Sequence, residues 1–179
     1  MKRIVISVLF LLIASFSFGQ NNGGLKKGFK GVFETTYQFG VGKYGLDRYK
    51  VNLTAGYQVN PYISFGAGTG LRYYFSTNSA YVPLLLDVKI NFLDRKFSPY
   101  ISLMAGKCFE AFNDFSEKGY LINLATGVCI AEYEKSAIFL GVEFESQQKS
   151  FYVDPLYYGF IYTEVHNSYS MSLNVGIVF

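Results

Sequence analysis

Tryptophan is absent from the 179 residues, histidine occurs once, cysteine twice and proline four times. A single His (His166) and two Cys (Cys108, Cys129) with no CxxC spacing leave no zinc-like ligand set. The sequence implies no cofactor. Charge is scarce too: 16% of residues are Asp, Glu, Lys or Arg, where soluble domains carry roughly 25%. A formal net charge of +3 supplies no basic surface for nucleic acid. Hydrophobic residues make up 50% of the chain, which excludes disorder. So apolar and thinly charged a chain has little with which to cover itself against water. Its aromatic content is correspondingly high, 19%, all Phe and Tyr.

The one long apolar run is at the start. Lys2 and Arg3 precede an apolar stretch from Ile4 to Phe18, with Ser17 and Gly19 at the small-residue positions before Gln20. Residues 1–19 read as a cleaved secretory signal peptide, the run being shorter than the ~20 residues of a spanning helix. Loss of Lys2 and Arg3 leaves 14 basic against 13 acidic side chains. Residues 20–28, rich in Gly and Lys, read as a flexible, solvated lead-in, and residues 29–179 as one domain.

Through that domain the dominant period is two, the signature of strands. In residues 29–41, Phe29, Phe33, Tyr37, Phe39 and Val41 alternate with Lys30, Glu34, Thr36 and Gln38. Similar alternation marks 49–59, 62–75, 81–93, 99–109, 120–130, 137–147 and 167–179, eight segments in all. Their connections alternate between short ones (60–61, 94–98, 131–136) and mostly longer ones (42–48, 76–80, 110–119, 148–166). That is the plan of an all-β, eight-stranded antiparallel up-and-down barrel. Pro83 is expected only near the start of its strand, where a missing N–H is tolerated.

Alternation does not say which face meets the core, so a soluble lipocalin-like barrel is the alternative to a transmembrane one. Segment length favours the membrane: about 10 to 14 residues, against ~5 to 6 for a globular strand and ~9 to 11 for a tilted membrane strand. The polar face is rich in Gly, Ser, Thr and Asn, which suits a crowded interior. Aromatics gather near segment ends (Tyr37, Phe39, Tyr73, Phe75, Tyr81, Phe92), where membrane barrels carry their girdles. The alternation from Tyr169 runs without a break to the final Phe179.

That ending, with Leu173, Val175, Ile177 and Phe179 at alternate positions, resembles the C-terminal assembly signal of Gram-negative outer-membrane barrels. The domain as a whole resembles their small eight-stranded family, the OmpA and OmpX type, including porin-like members, in segments such as Val82 to Phe92 and Pro99 to Gly106. The resemblance implies a monomer in the outer membrane with periplasmic termini and four extracellular loops. It also implies contact with outer-membrane lipids, including lipopolysaccharide, and handling by the barrel-insertion machinery.

Closing such a barrel puts Lys30, Lys50, Arg72 and Lys89 inside with Glu34, Asp87, Glu143 and Glu145. Four charges of each sign are expected to pair, because an unpaired ion in a low-dielectric interior costs several kcal/mol. Eight strands leave an interior that side chains just fill. The expected lumen is therefore a salt-bridged plug, with a narrow porin-like channel for small solutes as the alternative. The expected role is non-enzymatic: structural, adhesive or ligand-contacting through the outer loops, where Phe151, Tyr152, Tyr157 and Tyr158 offer contact area.

Three motifs compete with this reading. His166-Asn167-Ser168 resembles the His-x-Ser pair of outer-membrane lipid A deacylases, but no acid follows Ser168, and parity turns both residues away from lipid. Gly40 to Gly45 fits GxGxxG, yet a strand follows it where a phosphate-binding helix is required. Pairing Ile101 with Ile130 sets Cys108 and Cys129 near opposite ends of a hairpin, so both are expected as free thiols.

Overall fold

The computed structural model describes residues 25–111, 117–133, 136–153 and 162–179, without side-chain detail for 131–133, 150–153 and 162–164. Residues 1–24, including the expected signal peptide and its cleavage point, lie outside the described residues. Eight strands follow in chain order: β1 (Gly28–Val41), β2 (Arg48–Gln58), β3 (Ile63–Tyr74), β4 (Ser79–Asn91), β5 (Phe97–Glu110), β6 (Glu117–Tyr133), β7 (Ser136–Val153) and β8 (Tyr162–Val178). Each pairs antiparallel with its neighbour in sequence. The β1–β8 ladder closes the ring. No described helix is long and apolar enough to cross a membrane, a statement that does not bear on strands.

The two ends of the barrel differ. At the turn end lie the connections 59–62 and 92–96 together with Leu25, Phe179, the end of β6 and the start of β7; at the loop end lie 42–47 and 75–78 with the ends of β5 and β7 and the starts of β6 and β8. The difference in length is smaller than the sequence suggests, because β6, β7 and β8 continue pairing beyond the alternating segments. Gln148 opposite Asn167 and Phe151 opposite Glu164 are ladder pairs, not loop.

Alternation becomes inside and outside. Outward side chains are large and exposed, among them Phe33, Leu53, Leu86, Leu124, Leu140 and Leu173. Inward side chains are mostly polar and buried. Two apolar clusters cap this polar interior. Near the loop end, Tyr74, Tyr81, Leu85, Met104, Cys108 and Leu121 pack together with Leu46 against them. Near the turn end the cluster is Leu25, Val32, Tyr100, Ala125, Cys129, Ala137, Phe139 and Val178.

Several expectations change. Tyr81 is 4% exposed and belongs to the interior, not to an outer girdle; it shares parity with Leu85, Asp87 and Lys89. Leu25, within the lead-in expected to be solvated, is buried, while Lys26 and Lys27 are exposed. Pro83 sits inside β4, not near its start. The β3–β4 register skips from Thr69–Leu84 to Arg72–Tyr81, as a residue with no N–H requires. The β5–β6 hairpin pairs Ile101 with Thr126, four residues from the expected register. Cys129 then lies beside Ser98, ten residues along β5 from Cys108, about 33 Å at ~3.3 Å per residue. Both cysteines are buried free thiols.

The seam between first and last strand uses glycine at two points of close approach. Gly31 N donates to Phe179 O at 2.6 Å and Phe179 N to Gly31 O at 2.9 Å, and the Phe179 ring lies over the bare Cα of Gly31 on the outer face. Inside, a Cβ on Gly176 would meet the buried Phe139 ring and stand 2.6 Å from the Phe33 carbonyl oxygen. Gly176→Ala is therefore expected to destabilise the barrel by ~1–3 kcal/mol, the usual cost of overpacking. Urea-dependent folding into phosphatidylcholine vesicles would measure it; an effect near zero would show that the seam can spread.

Candidate functional site: the charged interior

The interior ions come from alternate positions of five strands, β1 to β4 and β7, and all eight residues expected there are buried: Lys30, Glu34, Lys50, Arg72, Asp87, Lys89, Glu143 and Glu145. Glu145 on β7 is the most heavily engaged. Arg72 on β3 donates to it through Nε at 3.1 Å and Nη2 at 2.9 Å. Arg48 on β2 reaches it through Nη2 at 3.1 Å, and Asn123 Nδ2 donates at 3.3 Å. In a ring of eight, β3 and β7 are four strands apart by either route. The Arg72–Glu145 fork therefore crosses the bore along a diameter.

Glu143, two residues earlier, is bound in the same manner. It pairs with Lys50 and accepts from Gln38 Nε2 at 3.0 Å and Ser172 Oγ at 2.7 Å. Glu34 accepts from Asn52 Nδ2 at 3.0 Å, with Lys50 Nζ at 3.7 Å and Lys89 Nζ at 4.0 Å. Asn52 ties the two halves by accepting from Arg72 Nη1 at 2.7 Å. A carboxylate surrounded by several donors in a dry interior is held far more strongly than one exposed pair.

The remaining expected members are less directly paired. Lys30 donates to Gln58 Oε1 at 3.0 Å and Ser64 Oγ at 2.7 Å. Asp87 accepts from Ser102 at 2.9 Å. Lys89 Nζ makes no hydrogen bond among the described residues; it sits 3.7 Å from the Phe139 ring centroid and 5.0 Å from that of Tyr100. Aromatic faces are a known partner for a desolvated ammonium.

Two buried cations were missed in the sequence. Arg48, expected in a connection, opens β2 and is fully buried, donating to Gln38 Oε1 at 2.8 Å, Tyr74 Oη at 2.6 Å and Ser170 Oγ at 2.6 Å. Lys149, also expected in a connection, donates to Thr77 Oγ1 at 2.9 Å and lies 4.0 Å from the Tyr74 ring centroid. The expectation of equal and opposite charge is thus corrected: the buried described residues include six cations and four carboxylates. Extending the alternation by one step, from Lys50 to Arg48 and from Gln147 to Lys149, would have found both.

The competing motifs have plain structural positions. Gly40 to Gly45 spans the end of β1 and the turn into β2, with Gly42 at φ 80°. Ser168 is fully buried and accepts from Arg48 Nη1 at 3.4 Å. His166 is stacked on Tyr44 with ring centroids 3.9 Å apart. Of the expected loop contacts, Phe151 and Tyr152 are backbone members of β7, paired with Glu164 and Thr163; Tyr157 and Tyr158 lie outside the described residues. Among the described residues no cluster of His, Cys, Asp and Glu could hold a metal ion.

No family model matches the sequence, and no curated protein matches it. Solved structures do. The chain is similar to the crystal structure of neisserial surface protein A (NspA), with a TM-score of 0.62 and 15% identity over 84% of this chain and 95% of that one. It is also similar to the outer membrane protein AlkL, determined by solid-state NMR in DMPC lipid bilayers, with a TM-score of 0.51 and 11% identity over 91% of this chain and 95% of that one.

The fold is that of the small eight-stranded outer-membrane barrels.

At such identities the likeness concerns the fold, and the interior just described belongs to this chain. Within an outer-membrane-barrel fold, the ends of the bore are defined by its two apolar clusters and its middle by Glu34, Glu143 and Glu145 with their cations.

Proposed function

We propose that this chain is an integral outer-membrane protein with a closed lumen, acting as a non-enzymatic scaffold whose contacts are made at the loop end. The observation that carries the closed lumen is the Arg72–Glu145 fork across the diameter, backed by Arg48 and Lys50 from β2. A solute crossing the bore would have to break these pairs and leave buried ions alone. The outward belt, with residues such as Leu86 at 68% and Leu173 at 76% exposure, supports lipid as the surrounding solvent, because soluble monomers rarely expose so continuous an apolar surface.

On this reading residues 1–19 direct export and are removed, and the final strand, with Leu173, Val175, Ile177 and Phe179 facing out, is what the insertion machinery engages. Lipids, including lipopolysaccharide, are its standing partners, and the closed ring gives a monomer no free strand edge to pair. The contact surface lies at the loop end, where Phe151, Tyr152, Tyr157 and Tyr158 fall in or next to the β7–β8 connection. The buried position of Ser168, inside the wall and bonded by Arg48, supports a structural over a lipid-hydrolysing role for it.

The test is conductance together with fractionation. The full mature chain should sediment with outer membranes, migrate faster on gels before boiling than after, and show no reproducible ion-conducting steps in a planar bilayer. Ion-selective steps from the purified, refolded protein would overturn the closed lumen, and recovery in a detergent-free periplasmic extract would overturn the membrane reading.

A further inference from the structure

The turn-end apolar cluster has a member that no strand supplies. Leu25 precedes β1 by three residues, yet it is 5% exposed and packed with inward side chains of β1, β5, β6, β7 and β8. The next two residues, Lys26 and Lys27, are exposed, so the chain leaves the mouth directly after that side chain. Small clefts flank that side chain on two sides. One is bordered by Leu25, Lys30 and Gln58, the other by Leu25, Asn91, Ser98 and Cys129. Leu25 is thus the partition between them.

What lies deeper makes the partition matter. Phe139 and Tyr100, in the same cluster, cover Lys89, and Lys89 is 4.0 Å from Glu34 at the edge of the ionic layer. Lys89 Nζ and Asn91 Oδ1 have no hydrogen-bond partner among the described residues, so water admitted there would find polar groups to bind. An apolar constriction holds water back by dewetting, and Leu25 is the one member of this cluster that lies outside the strand ladders.

We propose that Leu25 is a stopper for the turn-end mouth, a tethered side chain whose withdrawal admits water from that end towards the ionic layer while the wall of the barrel stays intact. The proposal rests on the closed-lumen reading above. It makes the seal a switchable device.

Cys129 is a built-in reporter, being 4% exposed, in the Leu25 cluster and on the border of one flanking cleft. Cys108, 0% exposed in the loop-end cluster, is the internal control. The full mature protein, refolded into phosphatidylcholine vesicles, would be treated with the charged thiol reagent methanethiosulfonate ethyltrimethylammonium and followed by peptide mass. Leu25→Ala and Leu25→Gln should each label Cys129 at least about tenfold faster than the unsubstituted protein, because modification of a buried group tracks the population of its opened form. Leu25→Phe should not, and Cys108 should label slowly in all four. Heat-modifiable migration of each variant confirms that the barrel has formed.

Unchanged Cys129 kinetics in both Leu25→Ala and Leu25→Gln would overturn the stopper, as would equal acceleration of Cys108, which indicates a loosened wall. Rapid labelling of Cys129 in the unsubstituted protein would overturn it too. Ion-conducting steps from the unsubstituted protein remove the closed-lumen reading; unchanged labelling in the variants without such steps removes the stopper alone.

Discussion

Glu145→Ala should unfold this barrel more readily than any other single change to its interior. The carboxylate is fully buried and neutralises two guanidinium groups at once, Arg72 through a two-pronged contact and Arg48 at 3.1 Å. Breaking one buried pair by removing a partner costs ~3–5 kcal/mol, because the other ion is left without compensation. Here two ions are left, although Arg48 keeps Gln38, Tyr74 and Ser170, and Arg72 keeps Asn52. The expected loss is therefore toward the upper part of that range. With no Trp to report, folding would be followed by the heat-modifiable gel shift across a urea series in phosphatidylcholine vesicles.

A companion variant separates ion pairing from packing. Replacing a buried pair by apolar residues of similar volume is often neutral, so Arg72→Met combined with Glu145→Leu should recover part of the loss. Recovery stays incomplete because Arg48 still lacks its carboxylate. A Glu145→Ala protein within ~1 kcal/mol of the parent would mean that water reaches Arg48 and Arg72, and the crossed bore would no longer count as sealed.

Leu86→Arg should be nearly as damaging, for the opposite reason. Leu86 stands mid-way along β4, opposite Ala67 on one side and Ala105 on the other, with its side chain 68% exposed. On a water-facing wall such a change alters stability by less than about 0.5 kcal/mol. On a wall facing hydrocarbon, Arg at the midplane costs ~2–4 kcal/mol and falls to ~0–1 near the interfaces. Phe92→Arg, just beyond the turn end of β4 and 59% exposed, is the depth control. A large effect at Leu86 with a small one at Phe92, measured in vesicles, fits a membrane wall. Small effects at both positions would favour the soluble barrel.

Much of the site could be read from parity. Lys30, Glu34, Lys50, Arg72, Asp87, Lys89, Glu143 and Glu145 fall on one side of their strands because side chains alternate with period two. The misses were at strand ends. Arg48, Lys149 and the end of the β7 ladder lie where the apolar positions fade, although backbone pairing continues. Tyr74 and Tyr81 show that an aromatic near a strand end can turn inward and form part of a lid; only parity, not residue type, distinguishes it from a girdle residue.

The β5–β6 register shows a deeper limit. The pairing expected for Ile101 was displaced by four residues, yet every side chain kept its face, since an even slip preserves alternation and only an odd one inverts it. Hydrophobic pattern is blind to that displacement. It still excluded a disulfide, because both registers hold Cys108 and Cys129 far apart.

What the sequence determined by itself was the strand class, the number of strands, their antiparallel order and which residues share a face, because each of these follows from local alternation and connection. Only the tertiary structure decided who meets whom across the bore: Arg72 with Glu145, Lys50 with Glu143, and Leu25 inside the mouth. Those contacts depend on how far each strand slides past the next as the sheet curls shut. That stagger is a property of ring closure, and no single strand carries it.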